Sequence, residues 1–467
     1  MKSIKTVHLP HTLALIFIII VAVWALTWLI PSGEFERLEK GGRTLVVPGT
    51  YHRVEANPQS VGTIFSAPLR GLADAANIVG VVLICGGAFG VVNATGAIHA
   101  AFFYAIRATE RSALVRRGAI PVLTLLFSLG GATFGMSEEI LAFIVIFVPF
   151  AKALGYDSIV GVAIPLVGSG AGFAAAFLNP FTVGLAQGIA ELPLFSGIEY
   201  RLIVWAVVTA LAIMFIVRYA ERVKRNPASS RMYEIDHEHA IQPLGRIADP
   251  KLSRSQKFVL AVFAISLLAL IAGTLKFDWY IIEIGALFLA MGIVAGLAGR
   301  LRINQIAEAF LAGTKDMIAA ALVVAFSRGI LVVATEGKII DTILYTLAGF
   351  TGQGHPLTSA YLMLFVQAGI NFFVPSGSGQ AALTMPIMAP LSDLLGISRQ
   401  TAVLIFQFGD GFNNLIIPTS GVTMGALSIA NIPYEKWLPW VVPLQILLFV
   451  AGMVLIAIPV FAGWGPH

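Results

Sequence analysis

The sequence predicts an all-α polytopic membrane protein: two inverted-topology repeats, about nine transmembrane helices and two opposed re-entrant hairpins. Three observations predict it. First, 57% of the 467 residues are apolar and 12% charged, with a mean hydropathy of +0.86, whereas a soluble domain carries roughly a quarter charged residues. Second, several apolar runs reach the roughly 20 residues that cross a bilayer as helix. Third, one pattern of Gly, Pro and polar residues occurs twice. Pro149 and Gly155 recur as Pro390 and Gly396 (390 − 149 = 241; 396 − 155 = 241), and Phe173 and Pro193 as Phe412 and Pro433 (412 − 173 = 239; 433 − 193 = 240). Gly71-Leu-Ala-Asp74 likewise matches Gly313-Thr-Lys-Asp316 (313 − 71 = 242). Two apolar halves interrupted by Gly and Pro at matching places mark a secondary transporter, with its site at the repeat interface.

Taken in order, full crossings fall near 11–30, 74–95, 158–190, 201–218, 257–275, 279–298, 316–335, 398–430 and 437–461. The first run is too long for a signal peptide, carries Trp24 and Trp28, and has no small-residue cleavage site, so it reads as a retained helix. The stretches 119–152 and 358–390 are broken midway by Gly-rich polar clusters and read as re-entrant hairpins. With a cytoplasmic N-terminus, 20 of the 30 basic residues lie inside, nine outside (Arg201 among them), and only Arg328 stays in the membrane. That bias satisfies the positive-inside rule, puts the C-terminus outside, and makes the two hairpins open to opposite faces. The halves are then 1–218 and 276–467, joined by a cytoplasmic linker, 219–256, and a connecting helix, 257–275. Residues 31–70 form an external loop, and 98–117 a cytoplasmic interfacial helix with Arg107, Arg111, Arg116 and Arg117 on its polar side.

Other classes are excluded by what the chain lacks. The net charge of +5 is spread over loops, so nucleic acid is not a partner; the lipid bilayer and a small-molecule substrate are. The single Cys85 allows no intramolecular disulfide, and no Cys/His cluster, HExxH or P-loop is present. No enzyme, metal or cofactor is expected.

The candidate site gathers four segments. The first hairpin tip, Gly130 to Glu139, carries Ser137, Glu138 and Glu139; two carboxylates among apolar runs cost roughly 2.5–3.5 kcal/mol each at the bilayer centre. The second tip, Asn371 to Gln380, carries Ser376, Ser378 and Gln380, with Gln380 at the place of Glu139 (380 − 139 = 241). Asn179-Pro-Phe-Thr182 interrupts 158–190; Asp410, Asn413 and Asn414, with Pro418-Thr-Ser420, interrupt 398–430. Proline frees carbonyls that protein, water or a bound ion must satisfy at membrane depth. Asn179, Thr182, Asp410, Asn413, Asn414, Thr419 and Ser420 therefore join the substrate-binding set, with Glu138, Glu139 or Asp410 as ion-coupling groups. Which of the three acids faces the site stays open. Arg328 either serves the site or pairs with one of them.

The opening HTLALIFIIIVAVWALTWLIPSGEFER, the GGATFGMSEE tip, LGYDSIVG, LNPFTVGLAQ and NFFVPSGSGQAALTMPIMAPLSDL resemble the C4-dicarboxylate anaerobic carrier (DcuC-like) family, in its YfcC-like branch, described as basic amino-acid antiporters. The resemblance spans nearly the whole chain. It implies an ion-transporter-superfamily fold of elevator type, like the p-aminobenzoyl-glutamate and divalent-anion/sodium symporters, and a homodimer. The tips lack the Ser-Asn-Thr signature of the sodium-coupled branch. The expectation is a secondary active transporter of the bacterial inner membrane, moving a basic amino acid such as arginine or ornithine by antiport or proton coupling. A C4-dicarboxylate carrier is the alternative, and a channel a more distant one.

Overall fold

The computed structural model describes residues 12–40, 43–47, 49–98, 100, 104, 113–238, 253–277, 279, 281–349 and 355–465. Among these, strands occur only between the first two helices. There β1 (Gly33–Glu34) pairs antiparallel with β4 (His52–Arg53), and β2 (Arg37–Lys40) with β3 (Arg43–Val46). Everything else regular is helical, as the apolar runs demand when backbone groups must be paired within a segment.

Helix α1 (Thr12–Leu29) is followed by one that the sequence reading left inside the external loop, α2 (Val61–Asp74). A single residue, Ala75, separates it from α3 (Ala76–Ala94). Glycine lets these helices touch their partners from the second half, α12 (Ile303–Asp316) and α13 (Ile318–Glu336), with α2 lying on α13 and α3 on α12. A Cβ on Gly71 would overlap the Ala325 carbonyl and the Gly329 amide, and one on Gly313 would overlap the Gly86 carbonyl. Such small-residue crossings draw membrane helices together where no hydrophobic effect does. Any side chain at Gly71 would push apart the helices that carry Asp74 and Arg328.

The first tip is a turn between α4 (Ala113–Phe134) and α5 (Ile140–Ala153), with Gly135 at φ +75°. The second lies between α15 (Pro356–Phe373) and α16 (Gly377–Leu394). The helix after each pair breaks. α6 (Ser158–Ala174) leads through a π-helical turn, Pro180–Gly184, into α7 (Leu185–Ile189). α17 (Arg399–Gly411) leads through a 3-10 turn, Asn413–Leu415, into α18 (Gly421–Ile429). Each helix pair packs on the broken helix after it. These broken helices form the core, every residue of α17 from Gln400 to Gly411 being buried. The long α8 (Ile198–Arg225) and α19 (Tyr434–Ala462) turn apolar side chains such as Ile203 and Ile446 outward. At about 1.5 Å per residue, both exceed the roughly 30 Å of a hydrocarbon core.

The linker after α8 starts docked. Tyr219 and Ser230 donate to Asp157 Oδ2 at 2.5 and 2.7 Å, Met232 is buried, and Asp236, on α9 (Tyr233–Glu238), pairs with Lys152 at 3.1 Å. Asp157 in turn caps α6 by accepting from the Val160 amide at 2.9 Å. Helices α10 (Arg254–Lys276), opened by a Ser253/Gln256 capping box, and α11 (Ile281–Ala298) follow, and α14 (Ile340–Gly349) precedes α15. Linker residues 239–252, Arg107 and Arg111, and the side chains of Arg116 and Arg117 lie outside the described residues. One expectation is corrected. Arg201, counted with the solvated external cations, is wholly buried. It donates to Gln407 and, at 3.1 Å, to Gln400, and lies 5.4 Å from the Trp464 ring centre. The residue that opens the expected 201–218 crossing is a helix-packing residue of α8.

Candidate transport site

A cavity of about 330 Å³ opens where the two tips, the broken helices and the α2–α3 and α13 helices meet. The first tip is shaped by its own acids. Gly135 turns the chain back, and Glu139 Oε2 accepts from the Ser137 amide at 2.8 Å, which closes the turn. Glu139 is thereby buried, while its neighbour Glu138 lines the cavity with Ser137.

The second tip and the second break each supply a helix N-terminus. Ser376 caps α16 and Ser420 caps α18, both by accepting an amide three residues on, and both line the cavity with Ser378, Asn414 and Thr419. N-terminal ends of helices carry partial positive charge and attract carboxylates. The charged lining is completed from a quarter that sequence reasoning missed. Arg328 of α13 donates through Nε to Asp74 Oδ2, and both side chains line the cavity beside Glu138. Arg328 thus has an ion-pair partner outside the three acids weighed for it. Two signals pointed there: Asp74 belongs to the repeated landmark shared with Asp316, and a lone intramembrane arginine needs a partner.

The remaining predicted residues stand behind the cavity wall. Asn179 Oδ1 accepts from the amides of Phe181 and Thr182 at 2.9 and 3.3 Å, which holds the π-turn together. Asn413 donates to the Ala368 carbonyl at 2.7 Å. Gln380 donates to both oxygens of Gln367, at 2.9 and 2.7 Å, and accepts from Asn371 at 3.1 Å. Asp410 is fully buried, and its Oδ1 accepts from Asn371 at 2.8 Å and from Asn414 at 3.3 Å. A Cβ built on Gly377 would meet both Thr182 and Asp410 Oδ2, so these two residues from opposite halves face each other across a glycine. Among the described residues, Asp410 Oδ2, Thr182 Oγ1, Asn371 Oδ1, Asn414 Oδ1 and Thr419 Oγ1 make no hydrogen bond. Such a concentration of unsatisfied buried oxygens is unusual in a folded protein and suits a proton or a monovalent cation.

An all-helical chain with apolar outer faces, two interrupted helices and a polar cavity between them defines an integral membrane transporter. The chain belongs to the C4-dicarboxylate anaerobic carrier family, whose model matches residues 9–461. The Escherichia coli (strain K12) protein named "Putative basic amino acid antiporter YfcC" is 36% identical over 97% of both chains. A Haemophilus influenzae protein described as uncharacterized is 28% identical over 98% of both. Among solved structures, the YdaH transporter of Alcanivorax borkumensis is 18% identical, with a TM-score of 0.42, over 98% of this chain and 100% of that one. Neisseria gonorrhoeae MtrF, from a class of antimetabolite efflux pumps, is 19% identical, with a TM-score of 0.41, over 97% and 96%.

Proposed function

We propose that the chain is a secondary active transporter of the bacterial inner membrane that carries a basic amino acid, by exchange or proton coupling, with alternating access. One observation carries the substrate class. The cavity is lined by two carboxylates, Asp74 and Glu138, and one guanidinium, Arg328. A basic amino acid is the mirror image of that set, with two cationic groups and one carboxylate. A dicarboxylate brings two negative charges to a lining whose net charge is −1, and like charges in a low dielectric repel strongly. The antiporter name of the Escherichia coli relative supports the same class. The dicarboxylate alternative rests on the family description and on the two helix N-termini at the cavity, which with Arg328 could hold two carboxylates.

In this reading Glu138 holds a cationic group of the substrate, and Ser137, Ser376, Ser378, Asn414, Thr419 and Ser420 supply hydroxyl and amide contacts. Asp410, fully buried behind the cavity wall with one oxygen that makes no hydrogen bond among the described residues, is the coupling group. Glu139, Asn179, Thr182, Gln380 and Asn413 hold the tips and breaks in shape. The hairpins with their broken helices, 119–190 and 358–430, form the mobile unit; the other crossings form the scaffold of a homodimer. The dimer rests on family resemblance, and native mass spectrometry that finds only monomer in mild detergent counts against it.

Uptake of labelled arginine or ornithine against labelled succinate or fumarate into proteoliposomes, with and without a pH gradient, tests the substrate. Saturable succinate uptake without competition by arginine overturns it. A conductance in planar bilayers would make the protein a channel instead. For the topology, a cysteine replacing the exposed Leu194 should label from outside, and one replacing the exposed Glu221 from the cytoplasm; the reverse pattern sinks the orientation.

A further inference from the structure

The Asp74–Arg328 pair is asymmetric in a way that suggests its use. The position equivalent to Asp74 is Asp316 (316 − 74 = 242), but the position equivalent to Arg328 is Gly86 (328 − 86 = 242). Asp316 is exposed, and Gly86 is pressed against Met317 and Gly313. The helix crossing therefore forms in both halves from glycines, and the ion pair is not needed to make it. The pair sits in the half of the crossing that faces the cavity.

Its bonding leaves the wrong number of groups for a closed structural bridge. Arg328 reaches Asp74 through Nε alone, and its two Nη groups make no hydrogen bond among the described residues. Asp74 uses only Oδ2, so Oδ1 is unengaged there. Both side chains keep substantial exposure, 35% for Arg328 and 46% for Asp74. A guanidinium presents a planar fork that grips a carboxylate through two parallel hydrogen bonds, and the Nη edge of Arg328 is that fork. Beside it stands an acceptor oxygen of a carboxylate. A donor fork next to an anionic acceptor complements one chemical group in particular, the adjoining α-carboxylate and α-ammonium of a free amino acid.

We infer that Asp74 and Arg328 form a head-group clamp: the Arg328 Nη groups bind the α-carboxylate of the substrate, Asp74 binds its α-ammonium, and Glu138 is left for the side-chain cation. The clamp rests on the reading of the cavity as a basic amino-acid site and adds which residue reads which group. It also places the head group on the α2–α3 and α13 helices and the side chain on the first hairpin tip, so one substrate bridges the two helix assemblies.

The test is the affinity of the reconstituted full-length protein for three ligands that differ by one group each. These are arginine, agmatine (no carboxylate) and 5-guanidinopentanoate (no α-ammonium), each measured as competition against labelled arginine and by binding calorimetry. Arg328→Gln should weaken arginine and 5-guanidinopentanoate by about tenfold, the scale of one lost charge-assisted pair, and leave agmatine within about twofold. Asp74→Asn should weaken arginine and agmatine by a similar factor and spare 5-guanidinopentanoate. Glu138→Gln should weaken all three, and Asp316→Asn none. Arg328→Lys keeps the charge and the bond to Asp74 but loses the fork, so it should show the Arg328→Gln pattern in weaker form if that variant does not fold. If the Asp74 and Arg328 variants weaken all three ligands equally while wild type takes up arginine, the clamp is wrong and the substrate class stands. If wild type binds succinate and not arginine, both fall.

Discussion

The two broken helices follow one backbone plan and differ in how they satisfy it. In the first, Asn179 spends its side-chain oxygen on the two amides that Pro180 leaves exposed, and its nitrogen reaches the Gly131 carbonyl of the neighbouring hairpin. That satisfies the side chain of Asn179, while Thr182 Oγ1 in the same break makes no hydrogen bond among the described residues. In the second, Asp410 accepts two amide donors on one oxygen and none on the other, and the oxygens of Asn414, Asn371 and Thr419 also lack donors. Hydrogen-bonding capacity left unspent at membrane depth is costly; most of it lies in the second half, around Asp410, and the first break adds Thr182 Oγ1. The first half brings a carboxylate, Glu138, to the open cavity. The second keeps Asp410 fully buried behind the cavity wall, next to Asn414 and Thr419, which line the cavity.

The variant Asp410→Asn tests that division hardest. The amide keeps the oxygen that Asn371 and Asn414 use and replaces the orphan carboxylate oxygen with a neutral group, so no charge is left buried there. Relief of that buried group, worth about 1 kcal/mol, should raise the melting temperature by roughly 2 °C. Removing the titratable group should at the same time cut pH-driven uptake by about 100-fold, equivalent to roughly 2.7 kcal/mol. A lower melting temperature together with undiminished uptake would break the comparison. Glu138→Gln comes next, with substrate affinity falling about tenfold, whereas Glu139→Gln should stay within about threefold because an amide oxygen can still accept from the Ser137 amide. Equal losses at the two acids would mean that the tip does not hold its carboxylates in separate roles.

In the first half the corresponding exchange should have the opposite sign. Asn179→Asp keeps the acceptor but loses the donor to Gly131, and sets a carboxylate oxygen against that carbonyl in a buried place. A stability loss of about 1–3 kcal/mol is expected, read as a lower melting temperature in the same detergent. A gain like that of Asp410→Asn would show that the two breaks are equivalent after all.

Much of this was legible because the membrane makes backbone interruptions expensive, so Gly and Pro clusters mark their place in the sequence. The turns at Gly135 and Ser376, and the helix ends at Ala174 and Gly411, lie close to those Gly and Pro clusters. What the sequence hid were side-chain directions and pairings across the chain. Glu138 and Glu139 are indistinguishable as letters, and only the bond from the Ser137 amide to Glu139 separates them. Asp74 sits 254 residues from Arg328, and a hydropathy reading places it at a span end, because α2 before it is too polar to read as membrane. The burial of Arg201 was hidden for the opposite reason: its partners, Gln400 and Gln407, lie two turns apart on α17, and the sequence gives no sign that a glutamine row will replace a carboxylate.

The smallest expected effect concerns Asn413, which the sequence grouped with the substrate ligands. Its side-chain nitrogen donates to the Ala368 carbonyl at 2.7 Å, away from the cavity, while Asn414 next to it lines the cavity. Asn413 therefore ties the second break to α15, and Asn414 is the one positioned to meet a substrate. Asn413→Ala removes a donor from a half-buried carbonyl, at a cost of about 1 kcal/mol, and should leave arginine affinity within about twofold. Asn414→Ala should instead weaken affinity with little change in melting temperature, since its Oδ1 has no donor to lose and its bond to Asp410 is long at 3.3 Å. Paired melting curves and competition assays on these two neighbours separate the roles. If Asn413→Ala lowers affinity more than Asn414→Ala does, the break presents its other face to the substrate, and the assignment of Asn414 to the cavity and Asp410 to a buried place behind it fails with it.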